Sequence, residues 1–267
     1  MNYIFNKIIC YNFFYGNCQL LIGLYSYFDN IKELFEIYKW QSYSYIREKQ
    51  KINYNLLKDI DIFIYQPINL TYKEYSSDEL IKYLNNNCLK IGIPFIYIDS
   101  FFPLIKKSIH GIDGGNILND YKIINEEVIL NLKKNFNNEQ IIELYNKNKI
   151  YFNYEERFNE NILRMREKEK NTDIKIVDFI LDNYKNNKIM YMHHHPSKLI
   201  FDEIAKHVFK ILKIDNDINK NIWNGLLSNE IYPYHISSIE HFNFNIDIDK
   251  NATKYYLSLI NEILHNN

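Results

Sequence analysis

The spacing of apolar and polar positions changes repeatedly over the first hundred residues, and each change marks an element. "KIICYNFF", Lys7 to Phe14, is rich in β-branched and aromatic residues and predicts a strand. Gly16-Asn17-Cys18-Gln19 then opens a segment with helical spacing from Asn17 to about Phe28, and that spacing continues through Ile31, Leu34, Phe35 and Tyr38. "QSYSYI", residues 41–46, predicts a second strand. "IDIFIYQPI" from Ile60 is a short apolar run closed by Pro67, as expected of a buried strand. "SSDELIKYLNN" starts a helix, with Ser76 as N-cap and acids in the first turn. "IGIPFIYI", residues 91–98, is the next strand.

Beyond Phe101 the pattern becomes helical. "SIHGIDGGNILND" holds three of the seven glycines and predicts a loop. Helices are expected at about 124–134, 137–147, 154–170 and 172–185. A short strand, Lys188 to His193, then leads through a turn at Pro196 into a helix from Ser197 to about Leu212, and a last helix runs from Thr253 to Leu264. The fold class that follows is α/β: a small, mostly parallel sheet flanked by helices, with a largely helical C-terminal half. No internal repeat or Pro/Gly/Ser-rich linker divides residues 1–267, which read as a single domain. Residues 1–105 form its α/β core, and 106–267 form a mainly helical part that contributes the late strand and the His-Pro-Ser turn.

Composition narrows the classes of function. The chain is 16% aromatic with 24 tyrosines, yet it has only 7 glycines and 5 prolines, a bias of AT-rich coding that makes the tyrosines poor signals. A net charge of −1 provides no global field for nucleic acid or an anionic membrane, so an anionic ligand must be met by a local cluster. Cys10, Cys18 and Cys88 are too few and too scattered for a disulfide framework or a Cys-x-x-Cys site, and point to a reducing cytoplasm. Asn6, Lys7, Asn12, Asn17 and Gln19 interrupt the apolar start, so no targeting segment or membrane span is expected, while peripheral association with the inner membrane stays open.

Four places can carry chemistry. Cys18 follows a strand and opens a helix, where unpaired N–H groups and the helix dipole favour a thiolate or hold an oxyanion. Gly16 permits the sharp turn before it. A buried structural thiol is the competing reading. "HHHPS", His193 to Ser197, lies at a second strand-to-helix junction, and both junctions belong at the carboxyl ends of strands, where open α/β sheets bind ligands. His195, beside Pro196, is the candidate base for a Cys-His pair. Three consecutive histidines on an extended segment alternate faces, and no metal is expected.

Three of the four arginines, Arg157, Arg164 and Arg166, fall within ten residues, a pattern suited either to phosphate recognition or to a solvated helix face. Asp99, Lys106, Lys107, His110 and Asp113 follow a strand end into the glycine-rich loop. No phosphate-loop or dinucleotide-binding glycine pattern occurs.

In order along the chain, "YGNCQ", "IFIYQP" with "IPFIYIDSFFP", "LRMREKEKNTDIKIVDFI" and "HHHPS" resemble the WcbI family of capsular-polysaccharide biosynthesis proteins, over residues 8 to about 212. The resemblance implies a coenzyme A pocket and an acetyl-CoA-dependent O-acetyltransferase acting on a sugar of a capsular or other surface polysaccharide, in company with other glycan-biosynthesis proteins. By the same resemblance Cys18 and His195 are the catalytic candidates, and Gly16, Asn17, Gln19, Arg157, Arg164, Arg166 and Ser197 are candidates for binding coenzyme A. The N-terminal part is also similar to the SGNH hydrolase arrangement, within an SGNH- or flavodoxin-like core, but the late Asp-x-x-His of that group has no match here. That likeness implies an esterase or deacetylase on a glycan as the alternative, and a non-catalytic glycan-binding protein is the third reading.

Overall fold

A computed structural model describes residues 10–105, 126–215, 231–247 and 249–266. The expected loop with Lys106, Lys107, His110 and Asp113 lies outside the described residues, as do Lys7 to Ile9 of the expected first strand.

Four strands form the sheet: β1 (Cys10–Gly16), β2 (Phe35–Gln41), β3 (Ile62–Tyr65) and β4 (Leu89–Gly92), in the order β2-β1-β3-β4. Every pair is parallel, with Asn12 opposite both Ile37 and Ile62, and Ile64 opposite Ile91. Parallel neighbours require crossover connections, and the intervening helical segments supply them. The architecture is α/β with a small parallel sheet flanked by helices, as the sequence pattern implied. Phe13, Tyr15, Trp40, Leu57, Ile60, Phe63 and Leu80 fill the core on one face of the sheet.

Contacts sort the described residues into two compact units that interleave along the chain. The first holds those of Met1–Ile96, Met165–Ile180 and Pro196–Asn229, and contains the sheet. The second holds those of Tyr97–Arg164, Leu181–His195 and Glu230–Asn267. The second unit packs around Phe101, whose ring meets Phe158, Phe242 and Phe244 at centroid distances of 5.7, 5.3 and 5.1 Å.

Several boundaries differ from the sequence reading. The expected helical continuation through Ile31 to Tyr38 ends in β2, and the expected strand "QSYSYI" lies largely in the helix Ser42–Glu48. Spacings of three and four residues fit a helix, but Phe35 and Trp40 are buried in ladder register with β1, and the crossover to β3 then needs a helix. The strand expected over 91–98 stops at Gly92, because Pro94 has no N–H to donate to a ladder. The helix expected over 172–185 is confined to Val177–Asn183, where Glu169 Oε1 accepts the N–H groups of Ile176 and Val177 and caps the start. The helix Ile236–Phe242 was missed: its N-cap is His235, whose ring accepts the Ser237 N–H at 3.1 Å.

Candidate functional site

In the first unit, the exit of β1 is fixed by side-chain amides. Gly16 is needed there for close approach: a Cβ would come within 2.8 Å of Leu20 and 2.9 Å of Gln66 Oε1. Asn17 donates its N–H to Gln66 Oε1 at 3.0 Å, and its own Oδ1 accepts the Gln19 N–H at 2.9 Å. Gln19 closes both polar groups of Ile96, donating to its carbonyl at 2.7 Å and accepting its N–H at 3.1 Å. Gly16, Asn17 and Gln19, expected to bind coenzyme A, are thus engaged in shaping the turn.

Cys18 stands between them as the residue before the π-helical turn Gln19–Leu24, which continues into the 3₁₀ segment Tyr25–Leu34. Strand order reverses here, since β1 leads outward to β2 on one side and to β3 and β4 on the other. In open parallel sheets such a switch point is where ligands meet the carboxyl ends of the strands. Cys18 is half-buried, whereas Cys10 and Cys88 are buried. Burial pushes the Cys18 thiol up to about 11, against the opposing pull of the Gln19 N–H and its own N–H. The expected lowering by the helix start is therefore reversed, because desolvation of the thiolate outweighs a short run of backbone donors.

The helix Lys198–Leu212 packs against the segment that follows Cys18. Phe201 abuts Gly23 so closely that a Cβ there would collide with its ring, Tyr27 donates to Asp202 Oδ1 at 2.6 Å, and Phe28 meets Phe209 at 5.2 Å. These contacts advance in the same direction along both segments, so their N-termini lie at the same end. The helix N-cap is Ser197, buried, with no side-chain capping bond and no acid in the first turn. Its Oγ has no hydrogen-bond partner among the described residues. A buried hydroxyl is ordinarily satisfied, and a helix N-terminus carries partial positive charge, so this corner suits an anion.

In the second unit, His193, His194 and His195 follow the strand Met190–Met192. His193 and His194 are buried and share a hydrogen bond of 2.9 Å. Burial pulls His193 down to about 3 and His194 well below its usual range, so both are neutral at physiological pH. His195 is half-buried and stacks edge-on with His194 at 4.3 Å. Among the described residues no group of three His, Cys, Asp or Glu side chains is arranged to hold a metal.

The arginines divide by environment. Arg157 is half-buried and donates to the carbonyls of Asp99 (2.6 Å), Phe102 (3.2 Å), Pro103 (3.1 Å) and Ile105 (2.5 Å), with the Asp99 carboxylate at 3.7 Å. Its guanidinium holds the Asp99–Ile105 turn, which departs from the expected phosphate role. Arg164 is exposed and pairs with Glu160 at 2.9 Å. In the first unit Arg166 pairs with Asp178 and lies 3.7 Å from Glu169. Gln66 and Arg157 as scaffold residues escaped the sequence reading, since a lone Gln after a strand and an Arg on a mixed-charge helix carry no distinctive spacing.

The sequence matches the family described as the polysaccharide biosynthesis enzyme WcbI over residues 13–217. The chain belongs to the WcbI family. Its fold is similar to a solved structure of WcbI, described as a novel polysaccharide biosynthesis enzyme and as native protein without a disulfide bond between CoA and a cysteine of that protein. The similarity has a TM-score of 0.73 at 15% identity and covers 97% of this chain and 90% of the other. No curated protein matches the sequence. Membership makes this chain one of a family of polysaccharide biosynthesis enzymes, and among the described residues no helix is long and apolar enough to cross a membrane.

Proposed function

We propose that the chain is a coenzyme A-dependent acyltransferase that moves an acetyl group from acetyl-CoA to a sugar hydroxyl of a cytoplasmic surface-polysaccharide precursor. The observation that carries this reading is the packing of the segment after the half-buried Cys18 along Lys198–Leu212 in the same direction, with the buried Ser197 hydroxyl at the start of that helix lacking a partner among the described residues. The solved WcbI is described by reference to a CoA–cysteine disulfide, and such a bond forms only where a protein thiol meets the CoA sulfur. Of the three cysteines here, Cys18 alone is not buried. Ser197 and the positive end of the helix that it opens suit the phosphates.

The neutral state of the thiol favours direct transfer. With the thiol at about 11, roughly one molecule in 10⁴ carries a thiolate at pH 7. In the direct route the sugar oxygen attacks the thioester carbonyl, His195 takes the hydroxyl proton, and the C–S bond breaks to release the CoA thiolate, which is then protonated. Cys18 borders the thioester without becoming acylated. Calorimetric titration with CoA tests the reading: Ser197→Ala should weaken binding about five- to tenfold, the loss of one charge-assisted hydrogen bond. Absence of CoA binding by the parent protein, or hydrolysis of an aryl acetate with no CoA affinity, overturns it.

A further inference from the structure

Away from Cys18, the first unit carries a concave surface formed by the chain after β2 and the chain after β3. It is an open groove of about 630 Å³ lined by Lys49, Lys51, Tyr54, Tyr72, Lys73 and Glu74 among others. We propose that this groove binds an acidic saccharide, a stretch of sugar chain bearing carboxylates.

Charge carries the first part of the argument. In a chain of net charge −1, three lysines line one groove against the single acid Glu74. Glu48, the neighbouring acid, is occupied by Arg47 at 2.7 Å and Gln50 at 2.6 Å. Among the described residues, Lys49, Lys51 and Lys73 are exposed and none is held by a carboxylate. Their ammonium groups are therefore available to an anion, and their proximity leaves like charges uncompensated until one arrives.

The rest of the lining suits sugar. The half-buried Tyr54 and Tyr72 offer ring surface for the C–H faces of pyranose rings, and Gln50 and Thr71 offer polar groups for hydroxyls. The volume lies within the range that small ligands fill. The backbone adds a further sign: Lys49 and Lys73 both have positive φ, 49° and 51°, and Lys73 combines it with ψ −120° inside a helical segment. Glycine would occupy either position with less strain, yet lysine stands at both. A carboxylated sugar, in preference to another anion, rests on the reading of the chain as an enzyme of polysaccharide biosynthesis.

The test is calorimetric titration at low salt with tetragalacturonate as the acidic probe and maltotetraose as the neutral one. The protein should bind the first and not the second. Lys49→Gln/Lys51→Gln/Lys73→Gln should weaken the acidic probe about tenfold, as expected when three exposed ion pairs each account for a roughly two- to threefold loss. Lys134→Gln/Lys147→Gln, exposed lysines of the second unit, should leave it unchanged, and Lys51→Glu alone should weaken it measurably. No binding of tetragalacturonate, or equal losses in the groove and control variants, overturns the proposal. A parallel loss of CoA affinity in the triple variant also overturns it, by making the groove a nucleotide-phosphate site. Failure of the parent to bind CoA strikes the acyltransferase reading and leaves the saccharide result standing.

Discussion

The two strand exits that present a thiol and an imidazole are built on opposite plans. At the end of β1, Asn17, Gln19 and Gln66 exchange hydrogen bonds with one another and with Ile96, so the turn is a clamp of neutral amides around one half-buried cysteine. After Met190–Met192, the ionisable rings themselves form the packing, and His193 and His194 are buried against each other. Burial acts on both exits with opposite sign, raising an acid and lowering bases. Cys18, His193 and His194 are therefore neutral at pH 7. The clamp exposes a weak nucleophile, whereas the histidine stack buries two rings and leaves the third, His195, half in solvent.

The strongest way to break that contrast is to remove His195. As the base of the proposed transfer, His195→Ala should lower kcat/KM for acetyl transfer by about 10²–10⁴-fold while CoA affinity holds. His193→Gln and His194→Gln should each cost less than about tenfold, since buried neutral rings relay no proton to solvent. Equal activity in His195→Ala and parent, measured by release of CoA thiol, would remove the base assignment.

Next comes stability of the second unit. Arg157 bonds four carbonyls of one turn, so Arg157→Ala leaves them with lost partners in a partly buried setting. Unfolding by urea should show a loss of about 3 kcal/mol, with CoA affinity unchanged. A variant of normal stability that no longer binds CoA would restore the phosphate role.

The opposite signs of the two exits also predict opposite pH dependences. His193 sits at about 3 in the folded chain and near 6.5 when unfolded, so its contribution is present above about pH 6.5 and is lost as pH falls towards 3. Stability should drop by on the order of 2 kcal/mol between pH 7.5 and 5, and His193→Gln/His194→Gln should flatten that slope. For Cys18, raised from 9 to about 11, the contribution is present below about pH 9 and is lost as pH rises towards 11.

Much of this was legible in the sequence where one physical signal dominated. "IDIFIYQPI" had to be a buried strand, Ser76 caps its helix, and the junctions at Cys18 and Ser197 are where helical segments begin. Legibility failed where two signals competed. The spacing of Ile31, Leu34, Phe35 and Tyr38 satisfies a helix locally, and only the ladder to β1, a contact distant in sequence, turns its end into β2. The same holds for chemistry. A helix start argues for a thiolate, but desolvation depends on what packs around the sulfur, which no spacing encodes. Arg157 reads as a phosphate ligand until the carbonyls of Asp99 to Ile105 are seen around it.

The smallest expected effect concerns the residue with which the contrast began. If the thiol only borders the thioester, Cys18→Ala removes a half-exposed neutral group and should lower kcat/KM by less than about tenfold, the scale of one lost packing contact. Covalent transfer predicts abolition of activity instead, along with an acetylated Cys18 detectable by mass spectrometry after mixing with acetyl-CoA. The titration of the thiol gives an independent measure. Alkylation by iodoacetamide should rise about tenfold per pH unit and level off only near pH 11, because thiolate supply limits the rate until the raised pKa is passed. A plateau near pH 7 would mean that the backbone donors at the helix start outweigh burial after all, and would return Cys18 to the role of nucleophile.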